Sequence, residues 1–210
     1  MRTYVYIDGF NLYYGAVRGT PYKWLDLMAL MQGLLKPHHV FEKIKYFTAM
    51  VDGRADPAAP LRQRIYLDAL RTYIPKLEVH LGHFLSNRKT AREFYPPHKP
   101  VDILHTEEKG SDVNLAVHLV HDSWQNLYDC AVVVSNDSDL AEAMRIVHGE
   151  HRRVVGLITP DGAKASAPRR TSRQLAQHAT FIAHIRRSAL AANQLPNPIP
   201  GTALHKPSSW

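Results

Sequence analysis

The residues of this chain best suited to chemistry are acids, and the densest set is Ser135-Asn136-Asp137-Ser138-Asp139. It follows Cys130-Ala131-Val132-Val133-Val134, small and β-branched apolar residues that read as a strand buried on both faces. Two carboxylates this close at a strand end repel each other unless a proton or a cation lies between them. The same residues also suit a helix N-cap, and a helical pattern (Leu140, Met144, Val147) comes next. Asp8-Gly9-Phe10-Asn11 closes a second apolar strand, Thr3 to Ile7, and Asn11 is placed to cap the next element or to turn back toward Asp8. Asp112 opens a helix marked by Val113, Leu115, Ala116, Leu119, Val120 and Trp124. If the two apolar strands adjoin at the switch point of a doubly wound sheet, Asp8, Asp137 and Asp139 meet at its carboxyl edge, and Asp112 reaches the same crevice. Carboxylates without cysteine or clustered histidine partners point to Mg²⁺ or Mn²⁺ rather than Zn²⁺. Such ions activate water and stabilise charge on a phosphate, so phosphodiester hydrolysis is the chemistry expected.

Positioning these acids requires strands that alternate with helices. Lys43 to Val51 and Leu77 to Phe84 read as further strands, and Arg153 to Ile158 and Thr180 to Ile185 as the last two. Helices are expected from Leu25 to Leu35, from Leu61 to Tyr73, and after Asp112 and Asp139. A loop is expected after Asn11, and a long loop or small hairpin from Leu85 to Pro100. This alternation predicts a mostly parallel sheet with helices on both faces, a three-layer α/β/α domain over residues 1–188. Residues 189–210, rich in proline, are expected to be a flexible tail or to pack only on a partner.

Composition narrows the partners. The 210 residues carry a formal net charge of +7, which favours an anionic partner. Between His151 and Arg187 the bases Arg152, Arg153, Lys164, Arg169, Arg170, Arg173, Arg186 and Arg187 face one acid, Asp161. Arg169, Arg170 and Arg173 are the candidates for backbone phosphate contact, with Lys109 a further one, although a charge run of this kind is more often a solvated face. A single cysteine, Cys130, excludes a disulfide framework and a cysteine-based zinc site. No apolar run approaches the ~20 residues of a membrane span, and a cytoplasmic protein is expected. The scattered histidines suit surface and core roles, and Tyr13, Tyr14 and Tyr22 suit either base stacking or packing. A homodimer is compatible with apolar surface helices but nothing in the sequence requires it.

Tyr6-Ile7-Asp8-Gly9-Phe10-Asn11, Glu108-Lys109-Gly110-Ser111-Asp112-Val113-Asn114-Leu115-Ala116 and Ser135-Asn136-Asp137-Ser138-Asp139-Leu140 resemble the three motifs of the NYN domain. They are most similar to its LabA-like (DUF88) branch, a relative of the PIN nucleases, over roughly Thr3 to Ile185. The resemblance implies a five- or six-stranded parallel sheet in PIN-like order and a Mg²⁺- or Mn²⁺-dependent ribonuclease. It assigns Asp8, Asp112 and Asp137 to the metal centre with Asp139 assisting. It gives Asn11 the orienting of the first carboxylate or of a phosphate, and Ser135 a hydrogen bond within the site. Asn136 stands where the family often has Gly, and Ser111 where it often has Val; neither departure removes a carboxylate.

Three functional classes remain open. The first is a metal-dependent RNA endonuclease. The second is a non-catalytic RNA-binding or partner-binding module that keeps the fold, against which stands the cost of clustering carboxylates without a metal. The third is a metal-dependent phosphatase, disfavoured because in aspartyl-phosphate enzymes an Asp-x-Asp pair closes the first strand, where this chain has Asp8-Gly9-Phe10.

Overall fold

The computed structural model describes residues 1–54, 56–160 and 170–210. Its centre is the strand pair expected from the apolar runs. β1 (Arg2–Asp8) lies parallel to β5 (Cys130–Val134), with Ile7 opposite Val134. On its other side β1 pairs in parallel with β2 (Val40–Ala49), which pairs with β3 (Leu77–Arg92). Beyond β5 come β6 (Val154–Thr159) and β7 (Phe181–His184), both parallel. With β4 (Pro100–Lys109) at the far edge, the order is β4-β3-β2-β1-β5-β6-β7. The chain moves outward from β1 in one direction and from β5 in the other, so the switch point lies between the ends of these two strands.

Side chains alternate across the sheet and divide the interior in two. Val5, Ile7, Val132 and Val134 face one layer with α2 (Leu27–Leu34), α3 (Ala59–Tyr73) and α7 (Arg187–Ala192). Tyr6, Ala131 and Val133 face the other, with α4 (Ser111–Trp124), α5 (Ala141–Arg145) and the short α6 (Arg173–Ala176). The three-layer α/β/α expectation holds.

Three local expectations are corrected. The sheet has seven strands rather than five or six, because the segment expected to be a loop or small hairpin is one long antiparallel ladder, from His83 opposite Lys109 to Arg92 opposite Pro100. Most of this arm is exposed on both faces, so its sequence has no alternation to announce it. Second, the tyrosine-containing stretch after Asn11 is helical: α1 (Gly9–Leu12) runs into a π-turn, Tyr13–Val17. Third, residues 189–210 are not a free tail. α7 crosses the expected boundary, and Leu190, Leu195 and Ile199 are buried in the first core layer. The Leu195 amide donates to the Trp24 carbonyl at 2.8 Å, and Trp24 Nε1 donates to the Pro196 carbonyl at 3.0 Å. Prolines keep this segment out of regular ladders, yet widely spaced apolar side chains still seat it.

Among the described residues no helix is long and apolar enough to cross a membrane.

Candidate active site

The carboxyl ends of β1 and β5 deliver the first two acids. Asp8 ends β1 and caps α1: its Oδ1 accepts from the Asn11 amide at 2.9 Å, and its Oδ2 accepts from Ser135 Oγ at 2.9 Å. Because Ile7 pairs with Val134, the next residue on each strand, Asp8 and Ser135, falls side by side. Ser135 Oγ in turn accepts from the Asp137 amide at 3.1 Å. Asn11 Oδ1 accepts from the Asn136 amide at 3.2 Å, tying the first loop to the second. Asp137 Oδ1 accepts from the Asp139 amide at 3.0 Å, so Asp137 caps the short turn Ser138–Leu140. The N-cap reading is met at Asp8 and at Asp137, each cap taking one carboxylate oxygen.

The third acid arrives by way of the hairpin. β4 returns the chain to the sheet edge, where Gly110 turns it with φ of 98°, a left-handed conformation that favours glycine. A Cβ on Gly82 of β3 would lie 2.4 Å from Glu108 Oε1 and 2.6 Å from the Lys109 carbonyl, so only glycine lets this junction sit so close to the sheet. Glu108 Oε1 accepts from the Ser111 amide at 3.1 Å and from Ser111 Oγ at 2.8 Å, which ties the start of α4. Asp112 comes next, in the first turn, and among the described residues nothing donates a hydrogen bond to its carboxylate.

Asp8, Asp112 and Asp137 line one cleft of about 290 Å³ together with Asn11. Its remaining walls are Glu108 and the rings of Phe10, Tyr14 and Phe84. Phe10 stacks on Tyr14 at 6.5 Å between centroids and meets Phe84 edge-on at 5.8 Å. Sequence reasoning misses Glu108 and Phe84 as site residues, because the hairpin that brings them has no buried face; the place of Glu108 within the second motif is the signal available. Asp139 is exposed and outside the cleft lining, facing the α4–α5 groove instead. Lys109 is paired with Glu107 at 2.9 Å. The Arg170 carbonyl accepts from Asn136 Nδ2 at 3.2 Å, which holds this part of the chain beside the acidic loop, and the Arg170 and Arg173 side chains are exposed. Arg169 lies outside the described residues.

Charge of one sign dominates the cleft. Burial, and after it the neighbouring Asp8, Asp137, Glu108 and Asp139, push the Asp112 carboxyl up to about 7. Burial also raises Asp8, against the hydrogen bonds from Asn11 and Ser135 that favour its anion. A divalent cation would do for these groups what the proton on Asp112 does. Among the described residues no three acid, histidine or cysteine groups close on a single point as a ready ligand set. Mg²⁺ dehydrates reluctantly and is commonly bound through one or two carboxylates with waters completing the shell. Asp8, Glu108, Asp112 and Asp137 are the acids of this cleft that could hold such an ion.

Comparison with known proteins bears on family and fold. The chain is 32% identical to 6-hydroxy-3-succinoylpyridine 3-monooxygenase HspA of Pseudomonas putida, in an alignment covering 100% of this chain and 75% of that protein. A protein of unknown function from Vibrio parahaemolyticus has a similar crystal structure, with a TM-score of 0.55 at 18% identity, over 88% of this chain and 92% of that one. That likeness supports the fold alone. The NYN domain family model matches residues 2–184, and it takes in each acid of the cleft. With a family match over nearly its whole length, and the family's motifs meeting at the switch point of its sheet, the chain belongs to the NYN domain family.

Proposed function

We propose that this protein is a Mg²⁺- or Mn²⁺-dependent ribonuclease of the LabA-like branch, hydrolysing RNA phosphodiesters. The observation that carries the reading is the convergence of Asp8, Asp112, Asp137 and Glu108 on one cleft, where burial and then the neighbouring acids push Asp112 up to about 7. A bound divalent ion supplies an acidified water and neutralises charge on the phosphate. The chain supplies the rest. Ser135 and Asn11 hold the Asp8 carboxylate in one orientation. Phe10, Tyr14 and Phe84 offer ring faces and edges on which an unpaired base stacks. Arg170 and Arg173, on the side of the Asn136 loop, take flanking phosphates, and Lys109, which is paired with Glu107, could take one only by leaving that pair.

The test is cleavage of end-labelled single-stranded and structured RNA with Mg²⁺ or Mn²⁺, set against Asp112→Asn. Metal-dependent cleavage falling at least about 100-fold in the variant is the expected result. Salt-sensitive RNA binding without cleavage would instead support the non-catalytic module.

A second reading is favoured by the likeness to HspA over the whole of this chain. The activity in that relative's name would make this protein an oxygenase of a hydroxylated pyridine carrying an acid side chain. Oxygen uptake with 6-hydroxy-3-succinoylpyridine and a two-electron donor, matched by product formation, would establish it and displace the ribonuclease reading.

A further inference from the structure

Behind Phe10 and Tyr14, which line both, a second cavity of about 400 Å³ opens on the other side of the aromatic wall. Small-molecule sites typically occupy about 300–1,000 Å³. Tyr46 and Thr48 of β2 reach it, 8% and 3% exposed, and neither hydroxyl donates a hydrogen bond among the described residues. Both residues line the cavity, so their hydroxyls are within reach of polar atoms on a molecule held there. The surrounding groups are already fixed. The Tyr66 hydroxyl donates to the Leu25 carbonyl at 2.8 Å, and Trp210 packs edge-on against Tyr66 at 5.7 Å.

The lining is aromatic and its charge is positive. Arg62 is paired with Asp56, but Arg18 and Lys23 form no ion pair among the described residues. The Arg18 guanidinium lies 5.2 Å from the Tyr14 ring centroid and the Lys23 ammonium 6.0 Å from that of Trp210. Two cations are thus held beside rings that bound the cavity, with no acid of their own.

We infer that this cavity is a binding site for a flat aromatic ring bearing an anionic group: the ring against Tyr66 and Trp210, its polar edge on Tyr46 and Thr48, its anion on Arg18 and Lys23. The inference goes beyond either reading of the acidic cleft and needs neither. A nucleotide and a small aromatic carboxylate share this chemistry, and the test separates them.

The experiment is titration of the metal-free protein in EDTA, monitored by calorimetry and tryptophan fluorescence. The probes are adenosine 5′-monophosphate, uridine 5′-monophosphate and pyridine-3-carboxylate. Inorganic phosphate and succinate (charge without ring) and pyridine (ring without charge) serve as controls. At least one anionic aromatic is expected to saturate with Kd below about 1 mM, and every control to bind at least about ten-fold more weakly. Arg18→Ala and Tyr46→Phe, both folded by circular dichroism, should each weaken binding at least about five-fold. Preference for the nucleotides assigns the cavity to a base and phosphate, and preference for the carboxylate to a free small molecule. The inference is overturned if no anionic aromatic saturates below about 10 mM, or if both variants keep full affinity.

Discussion

One face of this sheet and its carboxyl end hold two polar clusters built on opposite terms. On the α4 side, the Lys45 ammonium meets the Asp122 carboxylate at 2.6 Å, the pair being 8% and 4% exposed. Tyr6 donates its hydroxyl to the same carboxylate at 2.7 Å, and His118 Nδ1 lies 3.2 Å from the Lys45 nitrogen. Burial and then Lys45 lower His80 and His118, which therefore stay neutral near pH 7 and add no second positive charge. At the carboxyl end of the sheet, Asp8, Asp112, Asp137 and Glu108 share a cleft with no cation among its lining residues. One cluster pairs its buried charges within the fold and the other does not. The difference is what marks the cleft as the candidate site, because natural chains seldom gather charge of one sign without something to bind it.

The largest effect should come from breaking the paired cluster. Lys45→Met leaves Asp122 buried with a single donor, and losses of about 3–5 kcal/mol are typical when one half of a buried pair is removed. Lys45→Met with Asp122→Asn keeps an acceptor for the Tyr6 hydroxyl and no net charge, and should recover at least half of that loss in urea unfolding. A single variant as stable as the parent would erase the contrast drawn between the clusters.

The reverse change in the cleft should stabilise. Asp112 titrates near 7 in the fold and near 3.8 when unfolded, so the folded chain holds a proton that the unfolded chain releases. The associated stability is fully present below about pH 4 and lost as pH rises through 7. Metal-free Asp112→Asn should therefore exceed the parent at pH 8 by about 1–2 kcal/mol, a figure discounted because the side chain is half-exposed and screened by solvent. The gain should vanish near pH 4. Added Mn²⁺ should invert the order. At ten times its Kd it stabilises the parent by about 1.4 kcal/mol, with much less effect on the variant. Thermal unfolding at pH 8, with EDTA and with Mn²⁺, reads both arms. An EDTA curve in which Asp112→Asn is no more stable than the parent would remove the argument that the cleft lacks a counter-charge.

How far this contrast can be read from the sequence depends on the range of each signal. Asp8 and Asp137 are legible because an apolar strand ending in a polar turn is a local pattern, and the alternation of elements implies that β1 and β5 adjoin. Asp112 is legible from its helix start. Glu108 and Phe84 are not, since the arm that carries them pairs strand to strand in solvent and shows no buried face. Tyr46 and Thr48 look like ordinary strand residues, and Trp210, which helps to line their cavity, is more than 160 positions away in the chain. The seating of residues 189–210 rests on isolated apolar side chains fitting gaps left by α2 and α3, a complementarity that has no period. Lys45 and Asp122, on different elements, give no sign of each other at all.

The smallest effect concerns cations outside both clusters. Lys45 is fixed by its pair, whereas Arg173 is exposed at the start of α6 and makes no ion pair among the described residues. Removing such a charge leaves packing and buried hydrogen bonds untouched, so Arg173→Ala should change unfolding stability by no more than about 0.5 kcal/mol. If the exposed arginines beside the acidic loop take phosphates, the same substitution should weaken RNA binding by a few-fold and reduce the slope of log affinity against log salt by about one contact. Lys45→Met, tested where it remains folded, should leave that slope unchanged, because a charge already neutralised by Asp122 releases no counterions. Equal slopes for Arg173→Ala and the parent would mean that the basic stretch is solvated surface, and would leave RNA recognition to the aromatic wall and the bound ion.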